Sequence, residues 1–255
     1  MNPSFSSTSR SATEQNRAYY DQVRPGKDDY FRKMAAPRFR VAEFIRLLQQ
    51  ESFVTLCDLG CGGGQLLQEI AAQYPAAKLC GIDLAETQIE ANRKAMPSAT
   101  FFAQNLDSPS LEWAKTMGSF DVVIASELIE HVGDPLLLLR NARALTQPGG
   151  RFLVSTQSGP LRETERRVGH QQHFSASQME SLLLEAGFRP QRIYNTGFPF
   201  HDLSKWYANL NPNASMTQFA EKEYGLWENT VCLLLRTAFC FNSKTRGAQL
   251  FAIAR

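Results

Sequence analysis

The sequence lacks the features that define several broad classes of protein. No run of some 18 apolar residues occurs, so no segment is a candidate for a membrane-spanning helix, and the first residues hold no apolar core of a signal peptide. Charge of one sign is not in excess either. With 27 Lys and Arg against 25 Asp and Glu, the formal net charge of +2 is too small for a surface built to hold duplex nucleic acid. Cysteine is sparse and odd in number: Cys57, Cys61, Cys80, Cys232 and Cys240 show no metal or redox spacing, which points to reduced thiols and a cytoplasmic setting. What the 255 residues do have is 43% hydrophobic content, enough to fill the core of one large α/β domain with an elaboration.

The chain is organised around Phe53 to Gly64, FVTLCDLGCGGG. Val54, Leu56 and Leu59 lie among β-favouring residues, so a buried strand is expected over Phe53 to Asp58, and Gly60, Gly62, Gly63 and Gly64 hold off a helix until Gln65. A strand that turns into a helix through glycines offers bare backbone to a nucleotide-type ligand. Dinucleotide sites of the G-x-G-x-x-G kind need a third glycine where Gln65 stands, and Asp58 at the strand end is a poor neighbour for an anionic pyrophosphate. It is a good neighbour for ammonium and sulfonium charges, so the cradle suits S-adenosylmethionine (SAM) better than NAD. Asp83 follows Gly60 by 23 positions, at the end of a second apolar strand over Lys78 to Ile82, where a carboxylate can accept both ribose hydroxyls.

Taken together, DLGCGGG, GIDLAETQIEAN and FDVVIASELIEHVGDP resemble the class I SAM-dependent methyltransferases, over about Arg38 to Ile193. Among the subfamilies, the chain looks similar to the ubiquinone-biosynthesis O-methyltransferases and related small-molecule enzymes. The resemblance implies an α/β fold with a Rossmann-like, seven-stranded, mostly parallel sheet, helices on both faces, and a helical insertion before an antiparallel last strand. It implies methyl transfer from SAM to a small-molecule acceptor at oxygen. An N- or C-methyltransferase of a natural product and a noncatalytic SAM-binding protein are the alternatives. The cofactor site it implies comprises Arg38, Asp58, Gly60, Gly62, Asp83, Leu84, Asn105, Leu106 and Ser126. Arg38 matches an arginine that reaches the cofactor's carboxylate in the ubiquinone-type enzymes. Asn105 stands where the family has an aspartate for the adenine amino group, keeping the acceptor oxygen without the charge.

Along the chain, residues 1–30 are expected to form a flexible segment and a lid helix, Arg17 to Val23, carrying Tyr19 and Tyr20. Residues 31–255 form the methyltransferase domain. Helices are expected over Pro37 to Gln49, Gln65 to Gln73, Glu86 to Ala95, Leu136 to Leu145, and from a Ser175-x-x-Gln178 capping box to Ala186. The remaining strands fall at Ala99 to Gln104, Phe120 to Ser126, Arg151 to Ser155, Phe188 to Asn195 and Gln249 to Ala254. Residues 198–245 are the acceptor-side insertion. Nine of the 27 aromatics fall in Phe198 to Phe241, about twice their proportional share, which suggests either packing onto the core or an acceptor lid with aromatic walls. A homodimer contact there is left open.

Chemistry is expected at the carboxyl ends of the strands, near Ser126 and Glu127. A phenol or amine acceptor must lose a proton, so His173, then His131 and His170, are the candidate bases, with His201 also on the acceptor side. The segment ELIEH gives a second reading: on a helix, Glu127, Glu130 and His131 would share one face and hold a divalent metal with His170 or His173 as a fourth ligand. The preferred reading needs no metal.

Overall fold

The structure is a computed structural model that describes residues 29–106, 114, 117–217 and 223–255. The expected helix Arg17 to Val23, with Tyr19 and Tyr20, and the insertion's Phe219 lie outside the described residues. In chain order the elements are α1 (Asp29–Lys33), α2 (Ala35–Leu48), β1 (Thr55–Leu59), α3 (Gln65–Gln73), β2 (Lys78–Asp83), α4 (Glu86–Ala95), β3 (Thr100–Ala103) and β4 (Phe120–Ser126). A 3-10 turn over Ile129–His131 leads to α5 (Pro135–Leu145), β5 (Thr146–Gln157), α6 (Glu163–Arg167), α7 (Ala176–Glu185) and β6 (Pro190–Thr196). The insertion carries α8 (Phe200–Ala208), α9 (Pro212–Ser215) and α10 (Leu226–Phe239), before β7 (Gln249–Ala254).

The seven strands lie in the order β3-β2-β1-β4-β5-β7-β6. Strands β1 to β5 pair in parallel, whereas β7 runs antiparallel to both β5 and β6. Alternate residues of the strands feed two cores. Cys57, Leu59, Val123, Ala125 and Val154 face α5 and α7 through Leu138, Leu139, Ala142, Met179 and Leu183. Leu56, Val122, Ile124 and Leu153 face α2, α3 and α4 through Phe44, Leu67, Ile70 and Ile89. The helices after β1 and β2 therefore cover one face and those after β4 the other, so the strand order reverses between β1 and β4. That reversal opens a crevice at their carboxyl ends.

Local signals act as the sequence indicates at several ends. Asp134 caps α5, accepting from Leu137 N at 3.0 Å with Pro135 just inside the helix. Ser175 and Gln178 form both bonds of the capping box of α7. One strand differs from expectation: β5 continues back through Pro148-Gly149-Gly150 to Thr146. Gly149 takes φ 79°, and a Cβ at Gly150 would lie 3.0 Å from the carbonyl oxygens of Phe120, Asp121 and Gln147. Only glycine lets the two backbones approach that closely, so the pairing survives as a register shift between Phe120 and Val122.

The insertion is helical, as expected, but its aromatics divide. Phe239 and Tyr224 are buried, and Phe239 meets Phe39 of α2 edge to face at 6.3 Å. Trp206, Tyr207, Trp227 and Phe241 are 53%, 70%, 64% and 74% exposed and face solvent. The expected aromatic walls around an acceptor are thus not formed by these residues, because the same helices turn charged side chains inward.

Candidate active site

At the end of β1 the chain passes through Gly60, Gly62 and Gly64, all with left-handed backbone at φ 71°, 48° and 74°. A Cβ at Gly60 would press on Leu128 Cδ1 at 2.9 Å, whereas one at Gly62 would meet nothing within 4 Å. Gly60 is thus fixed by packing, and Gly62 by its backbone angle and by an open face above it. Asp83 ties the turn together from the end of β2, accepting from Gly62 N at 2.8 Å and Ala85 N at 2.9 Å. Asn92 of α4 donates to Gly62 O at 2.7 Å. Leu84 lies half-buried between Asp83 and the start of α4.

Asp58 stands beneath this turn at 2% exposure, and its Oδ1 is buried with no hydrogen-bond partner. Burial, with the nearby charge of Asp83, pushes its carboxyl up to about 8. A buried carboxyl in that condition is relieved by a cationic ligand, so the residues fit the ammonium end of SAM. Asn105 and Leu106 follow β3, and Leu106 is buried with its carbonyl accepting from Asn141 Nδ2 at 2.9 Å. Ser126 ends β4 with its hydroxyl 3.3 Å from that of Ser155. Arg38 is engaged elsewhere: its guanidinium pairs with Glu69 of α3. Arg40, two residues on, is buried and lies 3.7 Å from Glu127. A charge on the apolar face of α2, in line with Phe44 and Leu47, was the available signal for it.

Glu127 does not begin a helix. It takes φ 51°, the one left-handed non-glycine among the described residues, and the chain then tightens into the 3-10 turn. The helical face expected for Glu127, Glu130 and His131 is therefore not formed. The carboxylate of Glu127 instead accepts from Ser155 Oγ at 3.0 Å, Gln249 Nε2 at 2.8 Å and Gln157 Nε2. Burial opposes its ionisation, but Arg40 and the two glutamine amides outweigh burial and hold it down at about 2. Glu130 has the opposite fate. Fully buried, it accepts from Thr156 Oγ1 at 2.8 Å with its other oxygen unpartnered, and burial together with the Glu127 charge pushes its carboxyl well up.

Three of the four histidines do assemble. His170 Nδ1 and His173 Nε2 are 3.1 Å apart, and His173 Nδ1 is 3.2 Å from Gly159 O. The carbonyl requires a proton on His173 Nδ1; neutral His173 then accepts at Nε2 from His170 Nδ1, leaving the lone pair of His170 on Nε2. The His131 and His170 rings meet edge to face at 4.6 Å. Burial pushes His131 down to about 4 and, aided by His131, His170 down to about 2. Glu130, His131 and His170 each offer a ligand atom within 4.8 Å of the others. His170 thus stands where Glu127 was expected. His201 is remote in role: it is buried in the insertion against Phe239, with Nδ1 3.4 Å from Asp202 Oδ1.

A reversing parallel sheet, a glycine turn between two strand-end acids and a crevice above them define the class I SAM-dependent methyltransferase fold. A family model described as a methyltransferase domain matches residues 29–192, and the chain belongs to that family. Curated relatives include a ubiquinone biosynthesis O-methyltransferase of Vibrio parahaemolyticus, 35% identical over 39% of this chain and 42% of the relative. Another of that description, from Albidiferax ferrireducens, is 37% identical over 46% of this chain and 50% of its own length. The chain therefore spans half or less of the curated relatives it matches. Among solved structures, phosphoethanolamine N-methyltransferase 2 of Haemonchus contortus, in complex with SAM, aligns with a TM-score of 0.61 at 16% identity, covering 94% of this chain and 59% of that one. At that identity the likeness is one of fold.

Proposed function

We propose that this protein transfers the methyl group of SAM to a small-molecule acceptor, at oxygen. The observation that carries the reading is Asp58, a buried carboxyl with an unpartnered oxygen under an open glycine turn, which a cationic cofactor would satisfy. The relatives' description as O-methyltransferases supports oxygen as the site of transfer. In the reaction an electron pair of the acceptor oxygen forms the bond to the methyl carbon as the carbon–sulfur bond breaks. The released pair stays on sulfur, giving S-adenosylhomocysteine, and the acceptor's hydroxyl proton passes to solvent water. Asp83 on β2 would hold the ribose hydroxyls and Asp58 on β1 the ammonium, which would direct the methyl-bearing end toward the neighbouring strand β4. Holding three atoms in line supplies much of the rate.

The cluster of Glu130, His131 and His170 supports a second element of the reading, a divalent cation. Buried imidazoles held neutral are ready ligands and poor bases at neutral pH, and the unpartnered oxygen of Glu130 completes the donor set. A cation bound there would supply a Lewis acid for an acceptor hydroxyl. His173 then serves to fix the tautomer and angle of His170. Its five unpaired thiols suit a reducing, cytoplasmic setting, and no described helix is long and apolar enough to cross a membrane. The test is release of S-adenosylhomocysteine from SAM across a panel of phenols, amines and carboxylates, with calorimetric titration of SAM alongside. Absence of SAM binding would reject the reading outright.

A further inference from the structure

Beside the histidine cluster lies a cavity of about 330 Å³ whose wall includes Gly159, Arg162, Asp202, Lys205 and Gly247. Two links tie it to the strand ends. The carbonyl of Gly159 meets His173 Nδ1 at 3.2 Å, and Lys205 Nζ donates at 2.7 Å to Gln157, whose amide in turn donates to Glu127. Its volume suits a single-ring molecule. Its charges are unequally engaged. Lys205 pairs with Glu165 at 3.1 Å, and Asp202 Oδ1 accepts from Ala248 N at 2.9 Å while facing His201. The guanidinium of Arg162, half-buried at the start of α6, reaches no carboxylate among the described residues. A planar fork of N–H donors left open in a concave site matches the two oxygens of a carboxylate.

We propose that this cavity is the acceptor subsite and that it selects an acceptor carrying a carboxylate. The assignment rests on the methyl-transfer reading and narrows it. Arg162 takes the carboxylate in bidentate fashion, while Lys205, tethered by Glu165 and Gln157, adds positive field without swinging away. The acceptor's anionic end then sits in the insertion-side cavity, and its reactive hydroxyl points toward the cluster of Glu130, His131 and His170. Helix α8 thus acts in acceptor recognition through Lys205 on its inward face, and not through Trp206 and Tyr207.

The test uses the full chain saturated with S-adenosylhomocysteine, titrated calorimetrically with 3,4-dihydroxybenzoate and with its methyl ester. The acid should bind about 10- to 100-fold more tightly than the ester, the range set by a charge-assisted bidentate pair. Arg162→Gln should abolish that preference, and Arg162→Lys should retain part of it. Equal affinity for acid and ester, binding of neither, or a preference that survives Arg162→Gln would overturn the assignment. The titration of S-adenosylhomocysteine itself reports separately on the methyl-transfer reading: if it binds and the acid shows no preference, only the subsite fails.

Discussion

Asp58 makes the cofactor site sensitive to pH in a direction that can be worked out. In the free protein its carboxyl is pushed up to about 8, far above the ordinary carboxylate range, because it is buried and close to Asp83. A cofactor ammonium placed over it requires the carboxylate, so below pH 8 binding must expel a proton. Affinity for SAM should then rise by up to about tenfold per pH unit between roughly pH 6 and 8, and this rise should end above pH 8. The cofactor's own amino group titrates nearby, so the informative quantity is the ratio of wild-type to Asp58→Asn affinity, in which the ligand's titration cancels. Calorimetry in two buffers of different ionisation enthalpy should count close to one more proton released by wild type than by Asp58→Asn at pH 6 to 7, and little difference between them at pH 9. The sign for stability is opposite. A carboxyl raised by folding keeps its proton while the unfolded chain loses its own, so stability is greatest below about pH 4 as far as this group is concerned. It declines by up to about 1.4 kcal/mol per unit until pH reaches about 8. Asp58→Asn should flatten that decline in the free protein. A wild-type to variant ratio independent of pH, with no difference in the protons released, would refute the reasoning.

Asp83→Ala should weaken SAM binding by about 1.5 to 3 kcal/mol, since it removes an acceptor for the ribose together with the ties to Gly62 and Ala85; unchanged affinity by calorimetry would count against both roles. Excess EDTA should abolish turnover and added Mg²⁺ or Mn²⁺ restore it, with Glu130→Gln copying the chelated state and removing a metal-dependent rise in Tm; full activity in EDTA would reject the cluster as a metal site. Trp206→Ala and Trp227→Ala should leave the acceptor KM within about twofold and stability within about 0.5 kcal/mol, because both rings are more than half exposed; a large rise in KM would return them to the acceptor wall.

Much of the fold was legible because its signals are local. Alternation of apolar strands with capped helices predicts the parallel sheet, and DLGCGGG with Asp83 marks the crevice that the reversal between β1 and β4 creates. Arg38 and Arg40 show where that kind of reading stops. They are two positions apart on one helix, so they point in different directions, and only packing decides which one turns toward the strand ends. The structure gives Arg38 to Glu69 and Arg40 to Glu127. The insertion misleads for a related reason: aromatic content measures what could be buried, whereas the face of α10 is set by docking against α2, which uses Phe239 and leaves Trp227 outside.

The segment ELIEH carries the deepest ambiguity, because its spacing is helical and its backbone is not. Once Glu127 adopts a left-handed conformation, its carboxylate and that of Glu130 are sent to different partners. One meets Arg40, Ser155, Gln157 and Gln249, and ionises readily; the other meets a threonine hydroxyl and two imidazoles, and resists ionisation. Environments that drive neighbouring carboxyls apart assign them different work. Glu127 is saturated with donors and therefore anchors: it fixes the ends of β4, β5 and β7 to α2, and through Gln157 it fixes Lys205 at the acceptor cavity. Glu130 is left with an unpartnered oxygen beside two neutral imidazoles, the arrangement in which added positive charge does the most to stabilise the site. The strained residue thus separates scaffold from chemistry, and relaxing it should release both. Glu127→Gly would keep the left-handed turn but lose the anchor, whereas Glu127→Gln would keep the bonds from Ser155 and Gln249 to one oxygen and lose the charge facing Arg40 together with the acceptor for Gln157. If the anchor is what matters, the Gly variant should lose acceptor binding well beyond the Gln variant, with SAM affinity little changed in either. Equal behaviour of the two variants would mean that the charge on Glu127, and not its web of hydrogen bonds, is what the site requires.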